Sequence, residues 1–182
     1  MKKLFLLLLF FSTAALVLSS VEGFAQRERW SVKTLTDGFK PDTNTVTTVT
    51  VKDIQKKKLI PVGDQDARME TEKQVVQITG TIKVIKEEKG KKGDGDYHIE
   101  VTDASMDSTF VCECVNPKDT KAKKSLYKNN FIKARKVVKT LKVGDKVTFT
   151  GVLFQDQKHG KSSPLRTRNF IEMHPILNAK RK

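Results

Sequence analysis

From residue 75 onward the apolar side chains keep a period of two. Val76, Ile78, Ile82 and Val84 alternate with polar residues on either side of Gly80. That is the pattern of a strand with one buried face, and a glycine in its middle marks a bend. Two shorter runs repeat it: Tyr97, Ile99 and Val101, then Phe110, Cys112 and Cys114, separated by a turn at 104–108. They predict a hairpin. A fourth strand is expected over 147–154, with Gly151 inside it, and a fifth over 170–174. Pro175 should end that strand or push it to an edge, because proline has no N–H for a ladder.

Between the third and fourth strands the period changes. Phe131, Ala134, Val138 and Leu141 recur at three- and four-residue steps opposite lysines and Arg135, which predicts a helix with Ser125 placed to cap it. Three strands, one helix and two strands, with glycines bending the first and fourth, is the element order of the OB-fold, a five-stranded Greek-key barrel. About 100 residues suffice to close one core. The expected fold is therefore mainly β: an OB-like barrel over 75–178, an N-terminal extension over 26–74 and a basic tail over 179–182. A different open barrel or sandwich is the rival. In the extension, the Thr/Val alternation from Thr45 to Val51 predicts one strand, and Trp30 is the expected anchor.

Residues 1–25 follow another logic. Lys2 and Lys3 precede an apolar stretch from Leu4 to Leu18, then a short polar segment ending Gly23-Phe24-Ala25. This is the layout of a secretory signal, and the apolar run is shorter than the roughly 20 residues of a membrane-spanning helix. Cleavage after Ala25 and an exported product, periplasmic or extracellular and without a transmembrane span, are expected. No cysteine follows the run to take a lipid. Cys112 and Cys114 sit two apart in one strand, where an unstrained disulfide is unfavourable, so both are expected to be free.

The formal charge is +14 and stays near +13 after residues 1–25 are removed. Such a surplus draws a chain to polyanions: nucleic acid, anionic polysaccharide or lipid headgroups. The other reading of lysine runs such as Lys56, Lys57 and Lys58, or Lys121, Lys123 and Lys124, is a solvated surface.

Strand parity gives a candidate site. If Tyr97, Ile99 and Val101 face inward, Asp96, His98 and Glu100 face outward; by the same rule so do Glu113, Glu172 and His174. The second, third and fifth strands of an OB barrel are neighbours, and their outer surface is the usual ligand face. The loop before the last strand adds Asp156 and His159. All three histidines therefore fall on or beside one patch rich in carboxylates. Imidazole with carboxylate can ligate a divalent metal, with His98, His159 and His174 as ligands, or can act as a general acid/base pair. Equally, each carboxylate can simply orient an imidazole. Single-strand nucleic-acid binders need exposed aromatic platforms, and only Phe154 and Phe170 offer themselves on that face.

The segments RERWSVKTLTD, DGDYHIEVTD, FVCEC, GVLFQDQKHG and NFIEMHPIL, in this order, resemble an uncharacterised family of exported bacterial proteins with an OB-like barrel. The resemblance spans 29–177. It implies that Asp94, Gly95, Asp96 and His98 form one box, Glu113 a strand position, Asp156, His159 and Gly160 a loop, and Glu172, His174 and Pro175 the ending, with Arg68 and Arg135 at two arginine positions. It brings no activity with it. Three functions stay open: an extracytoplasmic binding protein using this face, with a divalent metal as a possible cofactor; a metal-dependent phosphodiester hydrolase; and a structural, envelope-associated protein. The sequence leaves the question of catalysis undecided.

Overall fold

A computed structural model describes residues 29–89, 93–157 and 166–182. The expected signal segment and His159 lie outside these residues. Five strands form the barrel: β2 (Val75–Glu87), β3 (Tyr97–Thr102), β4 (Phe110–Cys114), β5 (Lys146–Gln155) and β6 (Ile171–Arg181). Their order is β2-β3-β4-β6-β5, and β5 pairs back onto β2 to close the sheet. All barrel pairings are antiparallel except β4 with β6. With helix α3 (Lys128–Val138) between β4 and β5, this is the OB-fold.

The long strand β2 serves both β5, with its first half, and β3, with its second. Gly80 sits at the changeover. A Cβ there would lie 2.2 Å from the carbonyl oxygen of Thr102, so only glycine lets the strand cross β3 so closely. Gly151 does the same on β5, where a Cβ would lie 2.4 Å from the Pro175 carbonyl oxygen. That close approach corrects one expectation. β6 does not end at Pro175 but runs on to Arg181, because the register shifts around Gly151 let the strand absorb a residue without an N–H.

The interior follows the period-two pattern except beyond Ile82, where a register shift turns Ile85 instead of Val84 toward the core. Ile78, Ile82, Ile99, Val101, Phe110, Cys112, Cys114, Phe149, Leu153 and Met173 share one apolar core, and Ala134, Val138 and Leu141 of the α3 region pack into it. Each of the larger side chains contributes about 1.5–3 kcal/mol by leaving water. Both cysteines are free and buried. Ser125 does not cap α3, which starts three residues later; its Oγ instead accepts the Tyr127 N–H in the preceding turn.

The extension differs most from expectation. Only Thr47–Thr48 is a strand, β1, paired in parallel with β2. Short helices stand on either side, α1 (Trp30–Lys33) and α2 (Val51–Gln55), the latter opened by a Thr50/Asp53 capping box. The extension covers the outside of the barrel. Leu35 joins Val115, Phe131, Val152 and Leu177 in a second apolar cluster built on outward-facing positions. Trp30 is buried and donates its Nε1–H to Asp119 at 2.8 Å. Arg29 is the stronger pin. Its guanidinium makes a two-pronged pair with Glu72, 2.7 and 2.5 Å, and donates further to the carbonyls of Asp66, Ala67 and Gln155.

Candidate functional site

Parity brings the expected residues together. His98 stands directly across from Glu113 on the β3/β4 ladder, and His174 of β6 lies beside the same carboxylate. The expectation of an open face is corrected, however. Asp96 and His174 are wholly buried, and His98, Glu113, Asp156 and Glu172 expose less than a tenth of their surface. The extension is the reason: Lys33 of α1 lies 3.9 Å from Asp156 and 5.0 Å from the centre of the Phe154 ring, which in turn meets His174 edge-on.

Within the cluster each acid has a definite partner set. Glu113 Oε1 lies 3.0 Å from His98 Nδ1, and its Oε2 lies 3.2 Å from His174 Nδ1. Asp96 Oδ1 accepts the Asn116 N–H at 2.6 Å, while its Oδ2 lies 3.5 Å from His174 Nε2. Glu100 accepts from Thr109 at 2.8 Å and from Arg166 Nε at 2.7 Å, and Arg166 Nη2 lies 3.0 Å from His98 Nε2. Neither nitrogen of His174 nor Asp96 Oδ2 has a hydrogen-bond partner of acceptable geometry, although all three are buried.

Electrostatics follow from burial among like charges. Burial works against an imidazolium, but contacts with Asp96 and Glu113 outweigh it and raise His174 to about 9. His98 rises to about 9 in the same way, against burial, through Glu100 and Glu113. Burial, then repulsion from Glu113 and Asp156, lifts Glu172 to about 8. Burial also lifts Asp96 to about 6. Glu113 goes the other way, because its two imidazoles and Lys33 overcome burial and hold it well below the ordinary range. Hydrogen bonds from His98, Arg166 and Thr109 lower Glu100 to about 2 despite burial.

Other site expectations are redistributed. His98 is not placed as a metal ligand, since Glu113 and the Glu100/Arg166 pair occupy both ring nitrogens. Arg68 and Arg135 lie apart from the cluster. Arg68 ties Asp37, Val32 and Glu72 together and covers Phe39, so it fastens the extension. Arg135 reaches from α3 to Glu87 and to the carbonyls of Cys114 and Gly95, lying over the Tyr97 ring. Phe154 is no platform for a base: it is buried beneath Arg29 and Lys33. Sequence reasoning missed Lys33 and Arg166. Nothing local marks them, since each reaches the cluster from a segment distant in sequence.

The surface presents the opposite charge. Seven carboxylates are buried among the described residues, but no lysine is. Between residues 121 and 146 there are nine lysines, all exposed, and the one acid, Asp145, is buried and paired with Arg181. The large apolar side chains that stand exposed among the described residues, Leu126, Ile132 and Val143, belong to this same stretch.

These features define an OB-fold barrel whose usual ligand face is closed by its own N-terminal segment. No protein-family model matches the sequence, and no curated protein does. Among solved structures the chain is similar to an OBody bound to hen egg-white lysozyme, at 14% identity and a TM-score of 0.36, over 59% of this chain and 80% of that one. It is similar to the S. pombe Stn1-Ten1 complex at 14% and 0.37, over 59% and 57%. It is also similar to Entamoeba histolytica asparaginyl-tRNA synthetase in complex with asparaginyl-adenylate, at 16% and 0.42, over 76% of this chain and 24% of the synthetase chain.

Proposed function

We propose that this chain is an exported OB-fold binding protein that attaches to an anionic lipid surface through the lysine face around α3. The observation that carries the reading is the composition of that face: nine exposed lysines, no exposed acid, and exposed Leu126, Ile132 and Val143 among them. Lys128, Ile132, Lys136 and Lys139 follow helical spacing and form one ridge. Leu126 and Val143 flank its two ends. A lysine near an anionic membrane is worth about 1 kcal/mol, and an apolar side chain between lysines gains by entering the headgroup boundary.

Nucleic acid fits less well. The two aromatics of the stretch, Tyr127 and Phe131, pack against the second apolar cluster instead of offering faces to bases. The OB ligand face is covered, which also leaves the phosphodiester-hydrolase reading without support. The leader expected in residues 1–25 supports release to the side of the membrane where such a surface is met.

Cosedimentation of residues 26–182 with vesicles tests the reading. Binding should require anionic lipid and disappear near 1 M salt, where charges are screened beyond about 3 Å. Replacing Lys128, Lys136 and Lys139 together by Ala should weaken it about 100-fold, at about 1 kcal/mol per lysine. Equal binding to neutral vesicles, or a preference for nucleic acid over anionic vesicles, would overturn it.

A further inference from the structure

The cluster beneath the extension holds a feature that the lysine face does not explain. Asp96, Glu113 and His174 each offer one ligand atom, and these atoms lie within 4.8 Å of one another. We propose that the three residues form a binding site for a divalent transition-metal ion.

The arrangement of the carboxylates carries the inference. On Asp96, Oδ1 is taken by the Asn116 N–H and Oδ2 is turned toward His174. On Glu113, Oε1 is taken by His98 Nδ1 and Oε2 is turned toward His174. Each acid thus has one oxygen fixed by a neighbour and the other turned toward the His174 ring, Glu113 at Nδ1 and Asp96 at Nε2, as outer partners orient ligands in metal sites. Asp96 Oδ2 and both nitrogens of His174 are buried without a hydrogen bond. A buried polar atom left so costs about 1–3 kcal/mol, and an ion ligated by Asp96 and one nitrogen of His174 satisfies two of the three.

Charge points the same way. Glu100 is balanced by Arg166. Asp96 and Glu113 face His174, and the field of Lys33 acts on Glu113, Asp156 and Glu172. The paired carboxylates of Asp96 and Glu113 offset the charge of a dication held between them and the imidazole. One imidazole with carboxylates suits zinc, manganese or ferrous iron better than copper(I), which prefers sulfur. The ion takes one nitrogen of His174, and His98 is a positioning residue acting through Glu113.

The test uses residues 26–182, stripped with chelator and then dialysed against zinc. About one tightly held equivalent per chain is expected, and X-ray absorption should show one imidazole nitrogen and carboxylate oxygens at roughly 2.0–2.2 Å. The paired isosteric changes Asp96→Asn and Glu113→Gln should abolish tight binding while circular dichroism stays that of the parent. His98→Gln should weaken binding about 10- to 100-fold. No tight equivalent in the parent protein overturns the proposal, as does zinc held undiminished by the doubly changed chain. Should the double change prevent folding, the absorption spectrum of the parent decides alone: a shell of several imidazoles or of sulfur contradicts the site. None of these results depends on whether the lysine face binds vesicles.

Discussion

The outer face of β3, β4 and β6 and the exposed side of α3 are both strongly charged, but they treat charge in opposite ways. The first gathers Asp96, Glu100, Glu113 and Glu172 under a cover and surrounds them with imidazoles, Arg166 and Lys33. The second spreads lysines into water with no acid beside them. The contrast teaches that net charge understates this surface. Among the described residues seven acids are buried against two arginines and no lysine, so the exposed surface is more basic than an even spread of the formal +14 conveys.

The comparison breaks most visibly if the cover is released. Arg29→Ala leaves Glu72 buried without its cation and should cost about 3–5 kcal/mol of unfolding free energy, measured by denaturant titration; an effect below 1 kcal/mol would mean that the cover is not pinned there. A second route is alkaline pH in chelated buffer. His98 and His174, raised to about 9 from an unfolded value near 6.5, contribute stability that is whole below about pH 6.5 and lost as pH rises through 9. Glu172, raised to about 8, adds a loss of the same sign from about pH 4.5 upward. The thermal midpoint should therefore fall steadily between about pH 6 and pH 9, and a flat profile would separate the cluster from stability. On the acid side, Glu100 and Glu113 supply stability present above about pH 4.5 and lost as pH falls toward about 2.

On the α3 side the effects belong to binding, not folding. The Lys128, Lys136 and Lys139 replacement should leave unfolding free energy within about 0.5 kcal/mol of the parent, as exposed sites do. Ile132→Ala, at a half-exposed position, should change stability least of all and reduce vesicle binding by only a few-fold.

The two regions were unequally legible in the sequence. Alternation fixes which side of each strand faces the core, so Ile99, Cys112 and Met173 fall inside and His98, Glu113 and His174 outside, as expected. Gly80 and Gly151 announced the bends. Parity does not say what covers an outer face. Lys33 and Arg29 reach theirs from a segment separated from β3 by the whole of β2, and no local period encodes that contact. The continuation of β6 through Pro175 was hidden for a similar reason: it depends on a gap opened by Gly151 in a different strand.

The imidazole of His174 sits in a closed pocket of acids. Its proton titration, followed by NMR in the metal-free protein, tests that most directly. A midpoint near 9 is the result predicted. A midpoint near 6.5, the value of a histidine open to water, would contradict it.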